Sequence, residues 1–132
     1  MLGKISTTVI LAVSFFGSPS LFAQTKMPNT TQMLMKQKLA AAHGLLDGIV
    51  REDFAEIGKH ADMLKSISKA STWHRSDSES FMSYARSFQN ATDFLVENAK
   101  TRNSEGVALG HVRVTLECIQ CHNHVRGAKN QK

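Results

Sequence analysis

The chain has few of the residues that staple or punctuate a fold. Its 132 residues include two cysteines, two prolines, one tryptophan and one tyrosine. The cysteines are only three apart, at 118 and 121, so a disulfide between them closes too short a loop to be a useful staple. Both prolines, Pro19 and Pro28, lie ahead of the long apolar-patterned region, so none interrupts a helix there. No stretch alternates apolar and polar residues as a half-buried strand does. There is no Ser/His/Asp constellation, no pair of carboxylates in an apolar run and no glycine-rich phosphate loop. Acid–base, nucleophilic and phosphoryl-transfer chemistry therefore find no support, and the chain is not expected to be an enzyme. Beyond the N-terminus no apolar run approaches the width of a bilayer.

What is present begins with a leader. Lys4 precedes the apolar run Val9–Phe16, then Gly17-Ser18-Pro19-Ser20 and a small-residue site around Leu21-Phe22-Ala23. This is the pattern of a cleavable secretory signal over residues 1–23, the alternative being an uncleaved anchor. It leaves residues 24–132 as one exported domain, not membrane-spanning and, in a bacterium, periplasmic. The charge is +5, from 16 Lys and Arg against 11 Asp and Glu, and the basic residues are scattered. Export and scatter argue against nucleic acid as a partner. A solvated cationic surface and the steering of an acidic partner protein both remain open.

The downstream region reads as four amphipathic helices. The first runs from about Gln32 to Arg51, with Met35, Leu39, Ala42, Leu46, Ile49 and Val50 as its inner stripe. Gly44 and Gly48 within it call for close approach by a neighbouring helix or a flat cofactor. A second opens after Glu52-Asp53, carries Phe54, Ile57, Ala61, Leu64 and Ile67, and ends over Ser68–Ser71. Thr72–Asp77 is the longest connection and holds Trp73, expected to close one end of the core. The third starts near Asp77 or Ser78, with Phe81, Tyr84, Ala85, Phe88, Ala91 or Thr92, Leu95 and Ala99 inward. After Thr101-Arg102-Asn103 the fourth runs from Ser104 to Val125, ended by Gly127, with Val107 or Ala108, Val112, Thr115, Leu116 and Ile119 inside. The spacing predicts an all-α, up-down-up-down antiparallel four-helix bundle. Helices of roughly 20 residues are about 30 Å long, enough to bury a flat cofactor between them.

That cofactor is indicated by Cys118-Ile119-Gln120-Cys121-His122. Two thiols three apart, followed at once by histidine, form the attachment pattern of a covalently bound haem c. The thiols form thioethers to the two vinyl groups of one porphyrin, and His122 serves as the proximal iron ligand. A zinc half-site lacks a second ligand pair. A redox dithiol lacks its βαβ neighbourhood, and a plain disulfide is the remaining alternative. None of the other histidines is spaced for a separate metal site; His60 and His74 read as surface or loop residues, and Glu117 as a solvated one.

With its attachment motif near the C-terminus of a four-helix chain, residues 30–128 resemble the class II c-type cytochromes, the cytochrome c′ family. Cys118–Arg126 matches the family's motif followed, four residues after the histidine, by Arg or Lys near the haem. The resemblance thus makes Arg126 a candidate for a haem propionate, against a plain solvated helix-end arginine. Leu34-Met35-Lys36, with Asp53-Phe54 further on, is similar to the first helix of low-spin members, whose methionine binds iron. The resemblance therefore implies His122/Met35 ligation and a single-electron carrier working between redox partner proteins. Met33, His43 or a vacant sixth position remain alternatives. A vacant position implies a five-coordinate protein that binds NO or CO, and a haem-free exported helical module is a further alternative. Members of the family often form homodimers through their first two helices, so a homodimer is an open expectation here.

Overall fold

The computed structural model describes residues 30–73 and 78–129. The leader expected over 1–23, the connection carrying His74 and the side chain of Trp73 lie outside the described residues. Four helices follow one another: α1 (Thr30–Val50), α2 (Phe54–Trp73), α3 (Glu79–Lys100) and α4 (Ser104–Lys129). Between α1 and α2, Gly44 meets His60 and Gly48 meets Ile57. Between α2 and α3, Lys65 pairs with Asp93, and Gln89 donates to Ser68 Oγ at 3.3 Å. Between α3 and α4, Gly110 meets Leu95 and the Tyr84 and His124 rings lie 5.1 Å apart. In each pairing numbers rise on one helix as they fall on the next, so neighbours are antiparallel. The fold is the expected up-down-up-down bundle. None of these helices is long and apolar enough to cross a membrane.

One turn is used twice at the end where α1 meets α2 and α3 meets α4. After α1, the Asp53 amide donates to Gly48 O at 2.9 Å, and after α3 the Asn103 amide donates to Asn98 O at 2.9 Å. Glu52 and Arg102, one residue earlier in each turn, take left-handed φ values of 52° and 54°. These bonds satisfy the last carbonyls of each outgoing helix. The side chains of Asp53 and Asn103 then cap the next helix, accepting from the Glu56 and Gly106 amides at 3.1 Å each. Three residues, 51–53 and again 101–103, thus end one helix and start its antiparallel neighbour. At the start of α3, Ser78 is the N-cap and accepts from the Phe81 amide at 3.3 Å.

The core is built from Leu45, Ile57, Leu64, Leu95 and Val107, each essentially inaccessible, with Phe88 and Val114 beside them. The inner stripes of α2 and α3 fall where the pattern puts them: Ile57, Ala61 and Leu64, then Ala85, Phe88, Ala91, Thr92, Leu95 and Ala99, are buried. The stripes expected for α1 and α4 are corrected in part: Met35, Ala42 and Ile49 are half-buried and Val107 is buried, as expected. On α1, Leu39, Leu46 and Val50 are exposed, Val50 at 77 %, and the buried line is Ala41, Leu45 and Gly48. On α4, Ala108, Val112, Thr115, Leu116 and Ile119 face solvent, while Gly106, Val107, Gly110 and Val114 face inward. Both helices carry apolar residues on more than one face, so periodicity alone selects no side. The glycines decide it. A Cβ at Gly44 would run into the His60 ring, and one at Gly110 would stand 2.8 Å from Leu95; helices meet where these side chains are missing.

Two helix ends also move. α2 continues through Ser68 and Ser71 to Trp73, with the Ser71 and Thr72 hydroxyls turned back to donate to Ile67 O (2.8 Å) and Lys69 O (2.6 Å) within the helix rather than ending it. α4 continues through Gly127, which meets nothing within 4 Å, to Lys129.

Candidate functional site

At the end of the bundle away from the paired turns, the helices enclose a cleft of about 840 Å³, counting its open mouth. Leu34, Met35 and Lys38 of α1 form one wall, and Cys118, Cys121, His122 and Val125 of α4 another. Phe81, Tyr84, Ala85 and Phe88 of α3 and the buried Ser68 and Ser71 of α2 close the back. Helix periodicity explains the grouping. Cys118, Cys121 and Val125 recur at three- and four-residue steps on α4, as Thr31, Leu34, Met35 and Lys38 do on α1.

Both thiols and the imidazole expected to act together therefore line one largely apolar space. Cys118 and Cys121 are half-buried and not joined to one another. Burial pushes the Cys118 thiol above its ordinary value, and the nearby Lys38 ammonium pulls against that shift. Among the described residues no group of three or more His, Cys, Asp and Glu is arranged to hold a metal ion by itself.

Of the first-helix alternatives, Met35 is half-buried and lines the cleft. Met33 is half-exposed and His43 exposed, and neither borders it. Arg126 stands outside the cleft wall. It is exposed, and its guanidinium donates to Asn123 Oδ1 one helical turn back. His124 packs against Tyr84, and the half-buried His111 does not reach the cleft. His60, expected at the surface, instead fills the space above Gly44 and lies 3.4 Å from Glu56.

Two charged residues in the wall were not anticipated there. Glu117 is half-buried rather than solvated, and its Oε2 is buried with no hydrogen-bond partner among the described residues. Lys38 points its Nζ over the Phe88 ring, 3.9 Å from the centroid. Desolvation holds its ammonium below the usual lysine range. The signal for Lys38 was its place three residues beyond Met35, on the same side of α1.

The donor set fits a c-type haem: two thiols for the vinyl groups, an imidazole and a thioether for iron, and apolar walls for the ring face. Comparison with family models, with curated proteins and with solved structures found no match for this chain. The functional reading accordingly stands on the residues and their arrangement.

Proposed function

We propose that this chain is an exported monohaem c-type cytochrome of the class II kind, carrying single electrons between partner proteins. One observation carries the proposal: Cys118, Cys121 and His122 open from α4 into a single apolar cleft whose α1 wall presents Met35. Covalent haem in such a site supplies one-electron chemistry at its iron. The chain's own residues do the rest. Cys118 and Cys121 would hold the group by thioethers, keeping it in place in either oxidation state. His122 and Met35 would supply nitrogen and sulfur to its iron. Phe81, Phe88 and Val125 would exclude water from the ring and keep its surroundings of low polarity.

Electrospray mass of the exported, mature protein tests the reading together with its oxidised and reduced optical spectra. The expected results are one covalent haem increment per chain, lost in Cys118→Ala/Cys121→Ala, and a sulfur-to-iron charge-transfer band lost in Met35→Ala. A mature protein with no haem increment ends the cytochrome reading and leaves a haem-free helical module. Leu34 lines the cleft beside Met35 and favours a second reading, a non-ligating distal wall with an open iron position. Rapid carbon monoxide binding by the reduced protein, with no sulfur band in the oxidised one, selects that reading.

A further inference from the structure

Lys65, part-buried between α2 and α3, meets the Asp93 carboxylate, while Lys59 and Lys100 pair with Glu56 and Glu97 at the exposed surface. Lys38 makes no ion pair among the described residues. Its ammonium rests on the Phe88 ring inside the cleft wall, and the groups acting on it through space are the Cys118 and Cys121 thiols. Glu117 lines the same cleft but forms no ion pair with it. A cation over a ring face gains only a modest attraction, and burial works against its charge. An unneutralised lysine here is a cost to the fold, and its position assigns it a use.

We propose that Lys38 is a positioning charge that raises the reduction potential of the group attached at Cys118 and Cys121. The inference rests on the proposed haem attachment. Lys38 acts through space on the two thiols that would be bonded to the vinyl-derived edge of the porphyrin, whose carboxylates belong to the opposite edge. One-electron reduction adds one negative charge to the bound group and makes or breaks no bond at Lys38. A fixed positive charge nearby favours the reduced form, and the low-polarity wall screens this attraction far less than solvent screens a surface charge.

Spectroelectrochemical titration of the mature haem protein tests this, after mass spectrometry has established that haem is attached. Lys38→Met and Lys38→Gln should each shift the reduction equilibrium toward the oxidised form by on the order of tenfold, which is about 59 mV for a one-electron couple. Lys38→Arg, which keeps the charge, should remain close to wild type. Lys36→Met removes an exposed charge two residues away and should shift the equilibrium much less. Raising the salt concentration should erase the Lys36 effect and leave the Lys38 effect in place.

An unchanged potential in both neutral Lys38 variants overturns the proposal, as does a Lys38→Arg shift equal to theirs, since a packing role moves all three alike. Equal, salt-sensitive shifts in the Lys36 and Lys38 variants also overturn it. Absence of covalent haem from the wild-type mature protein overturns the cytochrome reading itself, and this inference with it.

Discussion

The two ends of the bundle are built on opposite principles. At the turn end, missing side chains draw the helices together: Gly110 admits Leu95, and Gly48 lets the Ile57 side chain and backbone approach. Two copies of one turn lock that end, and Ser104 Oγ donates to the Glu52 carboxylate between them at 3.3 Å. At the cleft end, the large side chains Phe81, Tyr84, Met35 and Val125 line an opening, and polar groups sit in the wall. One end closes on its own core, and the other leaves an open cleft. The local contacts of the turn end and the proposed attachment residues of the cleft end thus occupy separate parts of the same four helices.

Core deletions give the sharpest test of this contrast. Leu95 is fully buried among residues of the closed core, so Leu95→Ala should lower stability by about 2–5 kcal/mol. Leu34, half-buried in the cleft wall, already borders empty space. Leu34→Ala in a Cys118→Ala/Cys121→Ala background, where nothing is covalently attached, should cost under about 1 kcal/mol. Urea unfolding followed by circular dichroism measures both. Equal losses mean that the cleft end is as tightly packed as the turn end.

A gain of volume should discriminate the ends in the same way. An added methyl at Gly110 stands 2.8 Å from Leu95 Cδ2 and Cγ and 3.2 Å from Phe94 Cδ1. Gly110→Ala should therefore cost about 1–3 kcal/mol through overpacking. Gly127, on the last turns of α4 beyond the cleft, has nothing within 4 Å. Gly127→Ala should stabilise by up to about 1 kcal/mol through helix propensity. Thermal melts of the two variants should move in opposite directions; a stabilised Gly110→Ala shows that the helices there are not in close contact.

The same contrast explains what could be read from the sequence. Helix number, the near absence of a linker at Glu52-Asp53, the short turn at 101–103 and the inner faces of α2 and α3 were legible, because polar residues alternate with apolar ones at helical steps there. The inner faces of α1 and α4 were legible only in part. Leu45 and Leu46 are neighbours with opposite fates, and so are Val107 and Ala108; Val112 and Val114, two positions apart, also differ, and an apolar pattern alone does not choose within any of these pairs. The better guide was small size: Gly44 and Gly48, then Gly106 and Gly110, mark the contact sides of α1 and α4. At the site, Cys118, Cys121 and His122 were legible as a local motif, and the cleft brings them to one space with Met35. Lys38 and Glu117 were not, because charged residues are normally solvated, and only the meeting of four helices shows that these two border the cleft. Arg126 was read as close to the cofactor by analogy; its side chain is exposed and does not border the cleft.

The smallest expected effect is a dependence on pH confined to the cleft end. Burial holds the Lys38 ammonium below its ordinary value of 10.5 in the folded protein. The unfolded chain therefore binds more protons at this residue between the depressed value and 10.5, and the Lys38 contribution to stability rises with pH across that window. Below it, both states are charged and the full burial penalty remains. The Cys118 thiol is shifted the other way, above 9.0, so it removes stability as the pH climbs past 9.0 and masks the lysine. Cys118→Ala/Cys121→Ala takes both thiols and any attached group out of the balance. In that background Lys38→Met should be the more stable protein at pH 7, and its advantage should shrink steadily as the pH approaches 10.5. Urea midpoints of the two proteins across that range give the comparison directly. Parallel curves mean that the Lys38 ammonium is as well hydrated in the folded chain as in the unfolded one, and that the cleft wall is wet where the fold makes it dry.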